Sequence, residues 1–547
     1  MNRRTVFFCG ICIVCIVAWG QQPPEPPKYS SVKGMVVNAA TGEPVSKAMI
    51  TLQGSLSGSQ VNAEAMAKVA TYTVSASGSG EFEFKDVDPG TYRLSASRRG
   101  FVDASQRGLN NSTPLSSVVR VAAGQDVRSV KLRLTPQAVI TGRVTDSDGE
   151  PFQGVQVIAM RRYFVQGNST VAVVSAAVTN DLGEYRITEL APGRYFLLAR
   201  YRQAEHSNLG PTRQLTKDEI QETYPVTYYP GVTAATNALP VEVGAGAIRQ
   251  GIDVSVGKTS AHRIRGRVVL PAGSPLSRTF LSLASAQPSE SMGLFNSGQT
   301  TTQPDGSFEF NYIVPGSYFL QGSDLSGFIK VPLEVGDHDI DGIRAAPQPF
   351  LTLVGRLQWD GDPPTEPPKM RVHFAPALPP GQFFETEGTA AFKLGNFSPD
   401  RMRISVTGMS NQDYVKTIRY GNQTVEDEVI EIAEGAELEV VMKRGAASVE
   451  GTTESAEGPF ANATVLLIPT AESRRTAYSL FRQTTADQTG HFSFEGLAPG
   501  EYLLIAFDQI EPGSWFEPDF LSRFERGGER IKLEEKGHDS KKLTVIR

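Results

Sequence analysis

The sequence predicts an all-β protein built from five tandem antiparallel β-sandwich domains that follow a signal peptide. Three observations lead to this prediction. A strand–turn–strand motif recurs along the chain, a glycine-led strand opens each repeat, and sustained helical periodicity is almost absent. The chain of 547 residues has room for three to five domains at roughly 150 residues each.

The first twenty residues have the pattern of a secretory signal peptide. Arg3 and Arg4 precede an apolar run that ends at Val17, and Ala18 and Gly20 supply the small residues that a signal peptidase requires. The run is shorter than the roughly 20 residues of a membrane-spanning helix, and an uncleaved anchor is the alternative. All three cysteines lie in this segment. We therefore expect a mature chain without disulfides, in a bacterial protein that is secreted or periplasmic.

The composition excludes several classes of protein. The formal net charge is −6, whereas a dedicated nucleic-acid-binding domain carries a basic patch. Six histidines and three cysteines are little material for metal or thiol chemistry. We predict no cofactor, no nucleic-acid partner and no membrane span in the mature chain.

One motif occurs in four clear copies, in which Gly-x-(Phe/Tyr)-x-(Phe/Ile) is followed by Pro-Gly-x-Tyr-x-Leu, and its two glycines are always ten residues apart. The copies are Gly80–Leu94, Gly183–Leu197, Gly306–Leu320 and Gly490–Leu504. Both halves alternate with period two, as strands with one buried face do. The Pro-Gly pair is typical of a tight turn, so we expect each copy to form a β-hairpin. A weaker fifth copy has Ala390 and Asp400 in place of the glycines.

A second motif opens each repeat with a glycine followed by alternating apolar residues. The opening glycines are Gly34, Gly142, Gly266, Gly355 and Gly451, at spacings of 108, 124, 89 and 96 residues. Such lengths suit small sandwiches of about seven strands. The predicted boundaries are a signal peptide at 1–20, a proline-rich spacer at 21–28, and sandwiches at 29–135, 136–257, 258–346, 347–444 (degenerate) and 445–547.

The two motifs together resemble the carboxypeptidase regulatory-like domain, and the resemblance extends over nearly all of the mature chain. It implies Ig-like or transthyretin-like sandwiches, close in fold to carbohydrate-binding-like domains, and it implies little about function. The resemblance does not imply peptidase activity, because this domain accompanies a separate zinc-dependent catalytic domain. None of the six histidines is followed three residues later by the glutamate of that zinc motif. We predict no enzymatic activity.

One acidic stretch resembles a calcium loop. Asp337, Asp339 and Asp341 have the spacing of its first ligands, but the twelfth position is Gln348 instead of the required glutamate. We interpret the stretch as a turn, with a calcium site as the alternative.

Aromatic residues in two long loops, together with Trp359 in a third loop, are the candidate ligand-binding residues. The first loop, an insertion at 201–240 in the second sandwich, includes a possible short helix at Thr216–Tyr224. Exposed aromatic rings stack on sugar rings and are also common at protein interfaces, and we expect the loop around Trp515 to be exposed. The candidates are Tyr224, Tyr228, Tyr229, Trp359, Trp515 and Phe516. The alternative is that these rings cover sandwich edges.

The leading hypothesis is an exported, non-catalytic binding protein of the cell envelope that binds carbohydrate through these aromatic residues. The second is a structural or adhesive spacer whose partner is an envelope protein. The third is an accessory subunit of an envelope complex. The sequence leaves open whether the five sandwiches form a rod or a compact cluster.

Overall fold

The structure is a computed structural model that describes residues 30–54, 70–102, 117–165, 168–201, 221–270, 278–286, 298–324, 327–365, 368–377, 382–388, 391–511, 513–517 and 519–547. The predicted signal peptide and spacer lie outside these residues. Strand is the dominant secondary structure of the described chain, and none of its helices is long and apolar enough to span a bilayer. The all-β prediction is confirmed.

We group the strands into five units in chain order. Unit 1 contains β1 (Ser30–Asn38), β2 (Met49–Gly54), β3 (Thr71–Ser75), β4 (Glu81–Val87), β5 (Gly90–Ser97), β6 (Ser117–Val121) and β7 (Asp126–Leu134). Unit 2 contains β8 (Ala138–Thr145), β9 (Gln156–Val165), β10 (Asn168–Val178), β11 (Glu184–Leu190), β12 (Gly193–Arg200), β13 (Gln221–Thr223), β14 (Thr227–Tyr228), β15 (Val241–Val243), β16 (Ile248–Arg249) and β17 (Val254–Ser255). Unit 3 contains β18 (Thr259–Val268), β19 (Phe280–Ser285), β20 (Gly298–Thr301), β21 (Ser307–Ile313), β22 (Gly316–Asp324), β23 (Gly327–Val335) and β24 (Ile340–Ala345).

The last two units follow the same plan. Unit 4 contains β25 (Leu351–Trp359), β26 (Arg371–Pro376), β27 (Phe384–Glu387), β28 (Phe392–Phe397), β29 (Arg401–Thr407), β30 (Asp413–Tyr420), β31 (Gln423–Thr424), β32 (Val429–Glu431) and β33 (Glu437–Arg444). Unit 5 contains β34 (Ala447–Ser455), β35 (Gly458–Pro459), β36 (Thr464–Pro469), β37 (Arg482–Thr485), β38 (His491–Leu497), β39 (Gly500–Phe507), β40 (Glu529–Leu533) and β41 (His538–Ile546). The helical segments are an α-helix at Phe520–Phe524 and 3-10 turns at Ala235–Asn237, Glu472–Arg474, Tyr478–Leu480, Ser514–Phe516 and Glu525–Gly527.

Units 1 to 4 each pack two sheets around an apolar core. In unit 5 the same two layers are continuous as one eight-stranded sheet, because β41 pairs with both β34 and β39. In one sheet the opening strand lies between the Phe-x-Phe strand, which is antiparallel to it, and the closing strand, which is parallel to it, as in β4-β1-β7. The other sheet places the second strand beside the Tyr-x-Leu strand, as in β3-β2-β5-β6. Unit 4 has the same pairings, so its weaker motif still specifies the fold.

The predicted hairpin is wrong. In unit 1, β4 pairs with β1 while β5 pairs with β2 and β6, so the two halves of the motif lie in opposite sheets. The Pro-Gly turn therefore joins the two sheets as an arch. Phe82, Phe84, Tyr92 and Leu94 all project from the two sheets into the same core. An arch and a hairpin share the same alternating pattern and turn residues, because both bury one face of each strand.

A hydroxyl hydrogen bond secures this arch in the four clear copies. The motif tyrosine donates to the carbonyl oxygen four residues earlier, at 2.6–2.8 Å, in the pairs Tyr92–Asp88, Tyr195–Ala191, Tyr318–Val314 and Tyr502–Ala498. Burial is the main cause that raises the pKa of Tyr92 to about 12. In unit 4 the position is Met402, which has no hydroxyl to donate.

Replacing Tyr318 by phenylalanine is expected to destabilise unit 3 by about 1 kcal/mol, because the ring stays buried while the carbonyl of Val314 loses its donor. Hydrogen exchange of β21 and β22, measured by mass spectrometry, would show the change. Exchange as slow as in the wild type would mean that this hydrogen bond contributes nothing to the arch.

The opening glycine leaves space for two neighbours. A Cβ atom at Gly266 would lie 2.5 Å from the Ile343 carbonyl oxygen and 2.5 Å from the Phe308 ring. At the other four opening glycines a Cβ atom would lie 1.9–3.1 Å from the closing segment and from the motif aromatic residue. The glycine is therefore needed because the closing strand and the Phe-x-Phe strand both pack closely against the opening strand.

Unit 5 contacts units 1, 2 and 4. Arg133 of unit 1 donates to Asp508 at 3.3 Å, and Arg161 of unit 2 donates from Nε and Nη2 to Glu511 Oε1 at 3.1 and 3.0 Å. From unit 4, the Tyr414 hydroxyl donates to Glu535 at 3.1 Å. The chain therefore folds back so that its last unit lies against units 1 and 2, which a straight rod of five successive units would not allow.

Candidate functional site

The two long loops cover the outer faces of their own sheets. In unit 5, β36 and β39 are buried on both faces, and Trp515 and Phe520 pack on the outer face with Leu466, Ile468, Leu503, Ile505 and Phe507. In unit 2, Tyr228 packs on the outer face of β9 and β12 against Ile158, Met160, Val171 and Leu198. The loops thus supply each of these sheets with a second apolar layer.

The expectation that Trp515 is exposed is wrong. Its exposed fraction is 9%, and that of Tyr228 is 7%. Phe516 is half-buried among Phe164, Tyr478 and Phe481, with ring centroids at 5.9, 5.4 and 4.8 Å. A turn-rich sequence favours an exposed loop, but here the loop covers the apolar outer face of β36 and β39.

The predicted short helix is also wrong where it can be compared. Residues 216–220 lie outside the described residues, and Gln221–Thr223 form β13, which pairs with β18 of unit 3. The insertion therefore links two neighbouring units through a sheet.

Tyr224 is the candidate residue in the most ligand-like setting. Its ring centroid lies 4.7 Å from that of Phe152 and 5.6 Å from that of Tyr201, and all three rings are half-buried. Lys258 Nζ lies 5.9 Å from the Tyr224 centroid and 3.5 Å from a carboxylate oxygen of Glu222. We call these five residues the Tyr224 cluster. Its rings, ammonium and carboxylate could together contact a sugar or a partner side chain.

The other two candidates are not members of the Tyr224 cluster, and they lie in different units. Tyr229 is half-buried against the core of unit 2, and Trp359 is half-buried against the core of unit 4. The structure therefore does not bring the six predicted aromatic residues together into one binding face.

The three aspartates of the calcium-like stretch have different partners. Asp339 accepts hydrogen bonds from Arg263 N and Nε, both at 2.8 Å, and Asp341 accepts one from Arg265 at 3.3 Å. Asp337 is fully exposed beside His338. Burial alone would raise the pKa of Asp339, but the Arg263 hydrogen bonds and charge hold it below its ordinary value. Within the described ranges, no group of three or more His, Cys, Asp or Glu side chains is placed to hold a metal ion.

Sequence reasoning missed a polar cluster on the outer face of unit 5. The two carboxylate oxygens of Glu450 lie 3.7 Å from His491 Nε2 and 3.6 Å from His538 Nε2, across three adjacent strands. His538 Nδ1 also lies 3.0 Å from the Ser448 hydroxyl. Glu450, His491 and His538 are far apart in the sequence, and they meet because β34 pairs with β38 on one side and with β41 on the other.

The contact between units 4 and 5 contains a buried carboxylate that the sequence did not indicate. Glu428, with an exposed fraction of 7%, accepts hydrogen bonds from the Ser479 hydroxyl and from Ser479 N at 3.1 Å. Burial raises the pKa of Glu428, and the Ser479 hydrogen bonds and the charge of Arg403 oppose the rise only in part. Arg403 donates to the carbonyl oxygens of Asp427 and Thr476 at 2.9 and 3.3 Å.

Replacing Glu428 by glutamine is expected to raise the melting temperature at pH 7.5 and to leave it unchanged near pH 4. Because the pKa in the folded state lies above the unfolded value, the stability that this carboxyl contributes is present at low pH and is lost as the pH rises through the folded pKa. Glutamine mimics the protonated form. Thermal unfolding at several pH values measures the effect, and the exposed Glu184→Gln variant is the control. A variant that loses stability at pH 7.5 would contradict this sign.

Comparison with known proteins agrees with the motif assignment. The carboxypeptidase regulatory-like domain family matches residues 31–135 and 139–219. No curated protein matches the chain. Similar solved structures include a streptococcal ancillary pilin (11% identity, 58% of this chain and 99% of that chain, TM-score 0.21) and the minor pilin GBS52 of Streptococcus agalactiae (13%, 46% and 100%, TM-score 0.24).

A third similar structure contains two B repeats of the collagen-binding protein of Staphylococcus aureus (11% identity, 76% of this chain and 100% of that chain, TM-score 0.14). TM-scores at this level support no statement about function. Two segments of the chain, residues 31–135 and 139–219, therefore match the carboxypeptidase regulatory-like domain, and both lie in a series of β-sandwich repeats.

Proposed function

We propose that the chain is an exported, non-catalytic structural protein of the cell envelope, in which the β-sandwich units brace one another and present their outer surfaces to a partner protein. The observation that carries this proposal is the docking of unit 5 against units 1, 2 and 4. A flexible string of binding modules needs no such contacts, whereas a scaffold of defined shape does.

The docking contacts combine charge with apolar packing. The Arg161–Glu511 pair is about one quarter to one third exposed, and beside it the Phe164 ring of unit 2 packs on Phe516 of unit 5. Gln488 of unit 5 also exchanges two hydrogen bonds with the backbone of Arg120 in unit 1, at 3.3 and 3.1 Å. A single exposed ion pair contributes only about 0–1 kcal/mol, so the fixed arrangement depends on several contacts acting together.

Carbohydrate binding is the second candidate function, and the Tyr224 cluster is the observation that favours it. Its three half-buried rings lie beside the exposed Lys258 and Glu222. This is the usual combination of stacking surface and polar groups in a sugar site. Trp515 and Tyr228 no longer support that function, because their rings are buried in the apolar layers.

The scaffold proposal is tested with a double variant, Asp508→Asn/Glu511→Gln, which weakens two docking contacts and leaves each core intact. We expect small-angle X-ray scattering to show a larger radius of gyration at unchanged β-sheet content. After chemical cross-linking in cells, the variant should be recovered with a smaller amount of the envelope protein that cross-links to the wild type. The control is Glu184→Gln, which removes an ion pair inside unit 2. Full partner retention by an expanded variant would contradict the proposal.

The carbohydrate alternative is tested by binding the full chain to a panel of soluble and insoluble polysaccharides. Binding that Tyr224→Ala abolishes, and that Phe383→Ala leaves intact, would favour the alternative. Phe383 is a suitable control because it is an aromatic residue with an exposed fraction of 71% in a different unit. If the chain binds none of the glycans in the panel, the carbohydrate alternative is excluded.

A further inference from the structure

One sheet edge differs from the other long edges in the described part of the chain. Edge strands of six or more residues carry charged side chains or proline, which discourage pairing with other chains. Those strands are β4, β7, β11, β21, β23, β24, β28 and β38, and each contains at least one Asp, Glu, Lys or Arg. β10 is the exception, since its eleven residues, Asn168–Val178, include no charged residue and no proline.

β10 is exposed along its second half. It pairs with β9 on one side, and no other described strand pairs with its second side. Thr170, Val171 and Ala172 are buried, whereas Val173 and Val178 have exposed fractions of 38% and 61%. The register shift between Val173 and Ser175 bends the strand, so the free edge runs from Ser175 to Val178.

Unpaired backbone N–H and C=O groups along such an edge accept another strand readily. Valine, threonine and alanine without charge are also the composition of strands that associate. The fold therefore leaves a pairing surface where its other long edges are protected.

We infer that β10 pairs with β10 of a second copy of this chain, antiparallel and about a two-fold axis near Ala176. Self-pairing about a two-fold axis places the same short segment opposite itself. Self-pairing of any other long edge strand would bring charged residues close to their own copies. Self-pairing of β10 would not, because β10 contains no charged residue. The inference goes beyond the proposed scaffold function, since a scaffold of single chains needs no such pairing.

The test uses the chain from Gln21 onward in sedimentation equilibrium between 1 and 100 μM. The wild type is expected to be a dimer at the upper concentrations. Ala176→Lys is expected to weaken association at least tenfold, because the two lysines would then lie opposite each other. Val178→Lys is expected to weaken it by a smaller factor, since its two copies lie four residues apart along the strands. Thr73→Lys is the matched control, on the exposed edge strand β3. A wild-type monomer at 100 μM, or lysine variants that dimerise as the wild type does, would overturn the inference.

A spin label gives an independent measurement of geometry. Residues 21–547 contain no cysteine, so Val178→Cys provides a single labelling site. Four residues of separation along two antiparallel strands predict a distance of about 15–25 Å between the two labels. A dimer in which the labels are more than about 40 Å apart uses another surface, and that result would also overturn the inference. Circular dichroism of each variant shows whether the fold is intact.

Discussion

The variant Gly142→Ala is expected to lose unit 2 as a folded structure, with a cost of at least ~3 kcal/mol. A Cβ atom at this position would overlap the Ile252 carbonyl oxygen and would lie 3.0 Å from the Tyr185 hydroxyl. The Ile252 carbonyl is a backbone group, and it belongs to the segment that closes the unit. Neither group can move without breaking a contact of its own, since the Tyr185 hydroxyl donates to that same Ile252 carbonyl.

Hydrogen exchange measured by mass spectrometry resolves which unit is affected. The amides of β8, β9 and β12 should lose protection in the variant, while those of units 3 and 4 retain it. Gly244→Ala is the control within unit 2, because a Cβ atom there meets nothing within 4 Å and the backbone is not left-handed. Equal stability of the two variants would show that the opening glycine is not required for close packing.

The variant Trp515→Ala is expected to destabilise unit 5 by about 3–5 kcal/mol, as removal of a buried aromatic side chain from a core does. Trp515 packs on the outer face of β36 and β39, and Phe516 beside it contacts Phe164 of unit 2. Removal of the Trp515 side chain should therefore also weaken the contact between unit 5 and unit 2. Urea unfolding combined with small-angle X-ray scattering measures both effects.

Trp359→Ala is the comparison for this prediction, because Trp359 is half-buried at the end of β25 and lies in no docking contact described above. The free energy of unfolding should fall clearly less in Trp359→Ala than in Trp515→Ala. If Trp515→Ala instead left stability unchanged and removed glycan binding, Trp515 would be a ligand residue and the second apolar layer of unit 5 would be unimportant.

The repeats, their strands and their core residues were predictable from the sequence, because period-two alternation and turn residues are local signals. The arch was not, since strand partners depend on residues far apart: β4 pairs with β1, about fifty residues earlier along the chain. In each unit one residue near the register shift of the Phe-x-Phe strand has a left-handed backbone, and its residue type does not predict this conformation. It is Asp86, Glu189, Tyr312 and Asn396 in four units and glycine in the fifth.

The buried state of Trp515 did have a signal in the sequence. The strands β36 and β39 contain unbroken apolar runs, Val465–Ile468 and Leu503–Phe507, whereas β2 and β5 of unit 1 alternate. An unbroken run indicates a strand that is covered on both faces. Docking of unit 5 on units 1 and 2 had no comparable signal, because Arg133, Arg161, Asp508 and Glu511 look like ordinary surface charges.

The parallel pairing of the opening and closing strands determines how a unit responds to tension. In a parallel pair the start of the first strand and the end of the last lie at opposite ends of one ladder, as Ser31 and Leu134 do in unit 1. Force applied at the two ends of a unit therefore pulls along the strands and loads all the hydrogen bonds of the ladder together. A hairpin pulled from its open end would break them one at a time. Units 3, 4 and 5 contain the same parallel ladder, so each of them should resist tension in the same way as unit 1.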